Sequence, residues 1–74
     1  MEGKNNMHFS EKLIRLRAEK GLSQEGLANE LGVSRQAVSK WEAGAAMPEL
    51  AKLIAIAQLF DVSLDYLVGR SDQR

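Results

Sequence analysis

The sequence contains no cysteine and a single histidine, His8. The first absence excludes a disulfide framework and thiolate metal or redox chemistry, and it groups the chain with intracellular rather than small secreted domains. A single histidine rules out most metal and triad chemistry, no plausible Ser/His/Asp set surrounds His8, and no phosphate-cradling glycine loop is present. The chain is therefore not expected to be an enzyme or to hold a metal, a cofactor or a small-molecule ligand. Proline occurs once, so no Pro-rich linker divides the chain, and no low-complexity tract or solenoid repeat is visible. The longest low-charge stretch, Leu53 to Phe60, is too short to span a bilayer, and the amino-terminal residues lack the apolar run of a signal peptide. A cytoplasmic protein without a membrane partner is expected. An excess of charge is missing as well: Lys+Arg number 10 and Asp+Glu number 10, a formal net charge of zero.

What is present is an apolar core in the making. The 74 residues are 45% hydrophobic, enough for one small domain that must bury its apolar face compactly. One local pattern occurs at Phe9-Ser10, Leu22-Ser23, Val33-Ser34 and Val62-Ser63, each followed by an apolar residue four places beyond the serine: Ile14, Leu27, Val38 and Leu67. This is the signature of a Ser N-cap, whose hydroxyl accepts from a first-turn amide while the preceding residue packs on the first turn as a hydrophobic staple. Pro48 marks a fifth start, expected at the first helical position, with Glu49 beside it at the positive end of the dipole. Gly21, Gly32, Gly44 and Gly69 sit where left-handed residues would close the helices. The spacing predicts helices at 10–20, 23–31, 34–43, 48–60 and 63–68, with no strand. The expected divisions are a flexible amino-terminal arm at 1–8, one domain at 9–69 and a carboxyl-terminal tail at 70–74. Leu13, Ile14, Leu16, Leu27, Ala28, Leu31, Val38, Trp41, Leu50, Leu53, Ile54, Ala57, Phe60, Leu64 and Leu67 are assigned to its core.

Only Gly32 and Val33 separate Leu31 from the cap at Ser34, which forces the second and third helices into a tight helix-turn-helix. Ala28 is small where the two helices cross, and Val38 and Trp41 fill the angle between them. The strings Leu22-Ser23-Gln24, Leu27-Ala28, Leu31-Gly32-Val33-Ser34, Ser39-Lys40-Trp41-Glu42, Pro48 and Leu50 resemble the phage lambda repressor/Cro family of helix-turn-helix domains, also called the Xre family, over about residues 9 to 68. The resemblance implies an all-α, compact five-helix lambda-repressor-like bundle. It also implies that the third helix enters the DNA major groove while the second crosses the backbone.

With Val38 and Trp41 turned inward, Arg35, Gln36, Ser39, Lys40 and Ala43 face outward. Arg and Lys can donate to guanine O6 and N7, and Gln can pair with adenine. On an arbitrary helix such a face is ordinary solvated surface. By resemblance, Arg35, Gln36, Ser39 and Lys40 contact bases. Gln24 matches the family's phosphate-contacting glutamine, and Ser23, Ser34 and Arg15 join it as phosphate contacts, aided by free amides at helix amino termini. Arg17 and Glu42 would form a structural ion pair between the first and third helices.

The sequence departs from the family pattern at Gly26, where an acidic residue usually completes a capping box, and in the loop Ala43, Ala45, Ala46 and Met47, which lacks polar or basic phosphate contacts. No sensor domain is expected after the fifth helix. Affinity would come from a homodimer on two half-sites about 34 Å apart, with Leu59, Val62, Tyr66 and Val68 as the dimer surface. The reading is a sequence-specific regulator of transcription, a repressor, with double-stranded DNA as its partner. The alternative is a protein-binding helix-turn-helix module, an antitoxin or antagonist. The neutral total hides an excess of two cations over residues 10 to 40 and a matching deficit over 41 to 74. So slight an asymmetry implies few phosphate contacts and a shallow salt dependence.

Overall fold

Serine caps and left-handed residues divide the chain into short helical pieces, each with apolar side chains that need a neighbour. In a computed structural model describing residues 8–70, these pieces are α1 (Phe9–Glu19), α2 (Gln24–Leu31), α3 (Arg35–Glu42), α4 (Leu50–Phe60) and α5 (Leu64–Leu67), with no strand among the described residues. The expected arm lies outside the described residues apart from His8, as does the expected tail apart from Arg70.

Three of the caps act as the sequence requires. The hydroxyls of Ser23, Ser34 and Ser63 accept from the amides of Gly26, Ala37 and Tyr66 at 2.9, 3.1 and 3.0 Å. Ser10 does not cap α1. His8 holds that position in extended conformation, and the Glu11 carboxylate accepts from its backbone N–H at 3.2 Å. Starting the helix one residue before Ser10 carries Phe9 inside its first turn, where the ring is buried rather than stapled from outside. Pro48 is likewise displaced from the first helical position. It is buried ahead of α4, and Glu49, with ψ of 166°, is the N-cap.

All five helices end in one way. The amides of Leu22, Val33, Ala45, Val62 and Arg70 reach back to the carbonyls of Arg17, Ala28, Lys40, Ala57 and Asp65 at 2.7–3.0 Å. This is the six-to-one bond of the Schellman motif, which satisfies otherwise orphaned carbonyls once one residue turns left-handed. At the helix-turn-helix corner that residue is Gly32, with φ of 70°. At the end of α4 it is Asp61, with φ of 55° and no glycine to announce it.

Phe9, Leu13, Leu16, Leu27, Ala28, Leu31, Val38, Trp41, Ile56, Ala57, Val62, Tyr66 and Leu67 form the core, with Leu53 and Phe60 half-buried against it. Ile14, Leu50 and Ile54, expected inside, are instead among the exposed large hydrophobics. On α4 the cause is a phase shift: the inward stripe is Leu53, Ile56, Ala57 and Phe60, and a helix apolar all round has no polar face to fix that phase.

Two lysines are drawn into the fold. Lys12 is only 3% exposed; its Nζ donates to the Tyr66 carbonyl at 2.6 Å and lies 4.6 Å from the centre of the Tyr66 ring. Lys52 Nζ donates to the Leu31 carbonyl at 2.8 Å. Each places a cation at the negative end of a helix, α5 and α2 respectively. Replacing Lys12 with Met leaves a buried carbonyl without its donor. Urea unfolding of Lys12→Met should show a loss of about 1–3 kcal/mol.

Candidate nucleic-acid interface

The helix-turn-helix is built from α2 and α3. Val38 is fully buried and Trp41 nearly so, and this fixes the rotation of α3. Arg35, Gln36 and Lys40 are consequently exposed, and Ser39 is half-buried at the edge of the same outward face. No hydrogen bond or ion pair among the described residues engages the side chains of Arg35, Gln36 or Lys40. Their donors and acceptors all point to solvent, the condition for reading base edges.

Arg17 and Glu42 meet as the family resemblance implied. Arg17 Nε donates to Glu42 Oε2 at 2.6 Å and Nη2 to Oε1 at 3.1 Å, a two-pronged pair in which the carboxylate side chain is 5% exposed. The hydrogen bond to Glu42 holds the Arg17 guanidinium above its ordinary pKa; desolvation opposes this and the Glu42 charge adds to it. Arg17 also donates from Nη1 to the Leu22 carbonyl at 2.8 Å. One side chain of α1 thus fixes both the approach to α2 and the last turn of α3.

Gln24 joins this group. Its Nε2 donates to Glu42 Oε1 at 2.9 Å, so the amide proposed for phosphate is tied to the carboxylate by one of its two N–H bonds. Sequence reasoning placed Gln24 at the start of α2 and Glu42 at the end of α3 without joining them. Their separation of 18 residues matches no helical or capping period. Ser23 and Ser34 are exposed caps at the amino ends of α2 and α3. Arg15 is exposed on α1 and is not drawn into the Arg17–Glu42–Gln24 group. Of the residues expected at a dimer surface, Val62 and Tyr66 are 9% and 6% exposed, because α5 folds them onto the core, and Leu59 packs half-buried against it. Val68 alone of that set is exposed. Among the described residues no group of His, Cys, Asp and Glu could hold a metal ion, and no helix is long and apolar enough to cross a membrane.

Five helices in this order among the described residues, with a three-residue corner, Gly32 to Ser34, between α2 and α3 and a polar outer face on α3, define a helix-turn-helix domain. A family model described as helix-turn-helix matches residues 13–67, and the chain belongs to that family, in its lambda-repressor-like or Xre branch. It is similar to the HTH-type transcriptional activator BcrR of Enterococcus faecalis, 48% identical over 63 residues that cover 85% of this chain and 31% of that protein. It is also similar to the uncharacterized HTH-type transcriptional regulator YqaE of Bacillus subtilis (strain 168), 42% identical over 67 residues covering 89% and 58% of the two chains. The chain therefore corresponds to only part of each of these relatives. The crystal structure of the P22 c2 repressor protein in complex with a synthetic operator superposes with a TM-score of 0.82 at 28% identity, covering 88% of this chain and 98% of that one.

Breaking the ion pair from one side leaves a nearly buried carboxylate uncompensated. Arg17→Met should cost about 3–5 kcal/mol in equilibrium denaturation, the range for a buried pair deprived of one partner. Exposed Arg15→Met should fall within about 0.5 kcal/mol of wild type.

Proposed function

We propose that the chain is a sequence-specific DNA-binding regulator of transcription that reads the major groove with α3. The observation that carries this reading is the outer face of α3, where Arg35, Gln36 and Lys40 stand exposed and unengaged while Val38 and Trp41 anchor the opposite side. Arg35, Gln36, Ser39 and Lys40 contact bases, and Gln24, Ser23, Ser34 and Arg15 contact phosphates. Family membership and likeness to a repressor that binds an operator support the assignment. Repression follows by occupancy, since a helix seated in an operator excludes other proteins from it.

Two copies bind two half-sites about 34 Å apart. They meet through exposed apolar side chains. Val68 remains from the set expected in sequence, and Leu50 and Ile54, 63% and 42% exposed and one helical turn apart on α4, supply the larger part. Sedimentation should show a dimer that Leu50→Glu converts to monomer without loss of helical signal. A wild-type chain that stays monomeric at high concentration overturns the dimer.

Selection from random duplexes at low salt tests the function itself. The expected result is an enriched, roughly palindromic sequence. Arg35→Ala and Gln36→Ala should each relax preference at one position per half-site, at about 1–3 kcal/mol. Equal weakening on every sequence would rule out base reading by these residues. Failure to enrich any sequence would favour the protein-binding module instead, with the exposed apolar residues of α4 as its contact.

A further inference from the structure

Gln24, at the start of α2, is hydrogen-bonded to the internal ion pair through Glu42. Its partner, Glu42, is a carboxylate and only accepts hydrogen bonds. The Gln24 amide is therefore held with nitrogen, not oxygen, toward Glu42, and the 2.9 Å contact fixes the plane of the group. Left unheld, a glutamine at this position would turn its amide freely, presenting the oxygen as readily as the nitrogen. An oxygen facing a phosphate repels it, and a side chain ordered only on binding loses rotamer entropy at that moment.

We propose that Glu42 is a positioning residue for DNA binding: anchored by Arg17, it holds the Gln24 amide so that its second N–H is available to a backbone phosphate at the amino end of α2. Arg17 has a further part in this. Its guanidinium grips both carboxylate oxygens at 2.6 and 3.1 Å, which offsets the negative charge that would otherwise oppose an approaching phosphate. The same residue holds the Leu22 carbonyl at 2.8 Å, two residues before Gln24, so backbone and side chain of this corner are set together. Glu42 thus influences DNA affinity without touching DNA. The inference rests on the DNA-binding reading above and deepens it.

A double-mutant cycle on a non-specific duplex at low salt tests the proposal, run where thermal melts show every variant folded. Gln24→Ala and Glu42→Gln should each weaken binding about threefold to tenfold, the scale of one hydrogen bond. The double variant should bind no more weakly than Gln24→Ala alone, because on a non-specific duplex, where no base is discriminated by α3, the effect of Glu42 on backbone contact passes through Gln24. If Glu42→Gln does not fold, Glu42→Asp keeps a negative charge beside Arg17 while drawing the carboxylate back from both Arg17 and Gln24, and the same non-additivity is expected. A second readout is the Gln24 side-chain amide in nuclear magnetic resonance. Its two side-chain proton signals should lie away from their positions in an unstructured peptide in the free wild-type protein, shift on addition of duplex, and move back toward the unstructured positions in the Glu42 variant. Additive losses in the cycle, or a Gln24 amide that does not respond to duplex, overturn the positioning role while leaving DNA binding intact. Absence of any binding by the wild-type chain overturns both.

Discussion

Arg17 crosses from α1 to the last turn of α3 and grips the Glu42 carboxylate with two nitrogens, while its third nitrogen holds the chain just before α2. A helix as short as α3 has little intrinsic stability and would otherwise be oriented only by Val38 and Trp41. Those two side chains set how far α3 is rotated about its axis. The ion pair sets where its far end lies relative to α1. With both fixed, Arg35, Gln36 and Lys40 project from a rigid platform and need no rearrangement before meeting a partner.

The same economy governs the other charges. A neutral chain cannot rely on a general positive field, and part of its basic complement is turned inward, Lys12 onto the end of α5 and Lys52 onto the end of α2. What remains on the α3 face is a small number of placed donors. Such a surface favours recognition by geometry over attraction by charge.

The helix starts at Ser23, Ser34 and Ser63 and the stops at four glycines were legible because capping is local: a hydroxyl and an amide three residues apart suffice. The outward face of α3 was legible because a helix with one Val and one Trp on a single side has only one possible orientation. The phase of α4 was not, since apolar residues surround it and its one lysine points inward. Nor were the partners of Lys12 and Gln24, which lie 54 and 18 residues away and are chosen by packing rather than by spacing. Val62 and Tyr66 illustrate the same limit. Their apolar character was visible, but whether it faced a second copy or the core depended on how α5 closes.

The junctions Gly21-Leu22-Ser23, Gly32-Val33-Ser34 and Asp61-Val62-Ser63 share one construction: a left-handed residue, an apolar residue whose amide closes the helix behind, and a serine that opens the helix ahead. None of the three has a residue to spare. Adding or deleting one would uncouple stop from start and rotate the following helix by about 100°, so these joints fix chain length as strictly as any core side chain fixes volume. The stretch from Gly44 to Glu49 carries no such double constraint. It is the one connection between described helices whose length can drift while the domain around it keeps its shape.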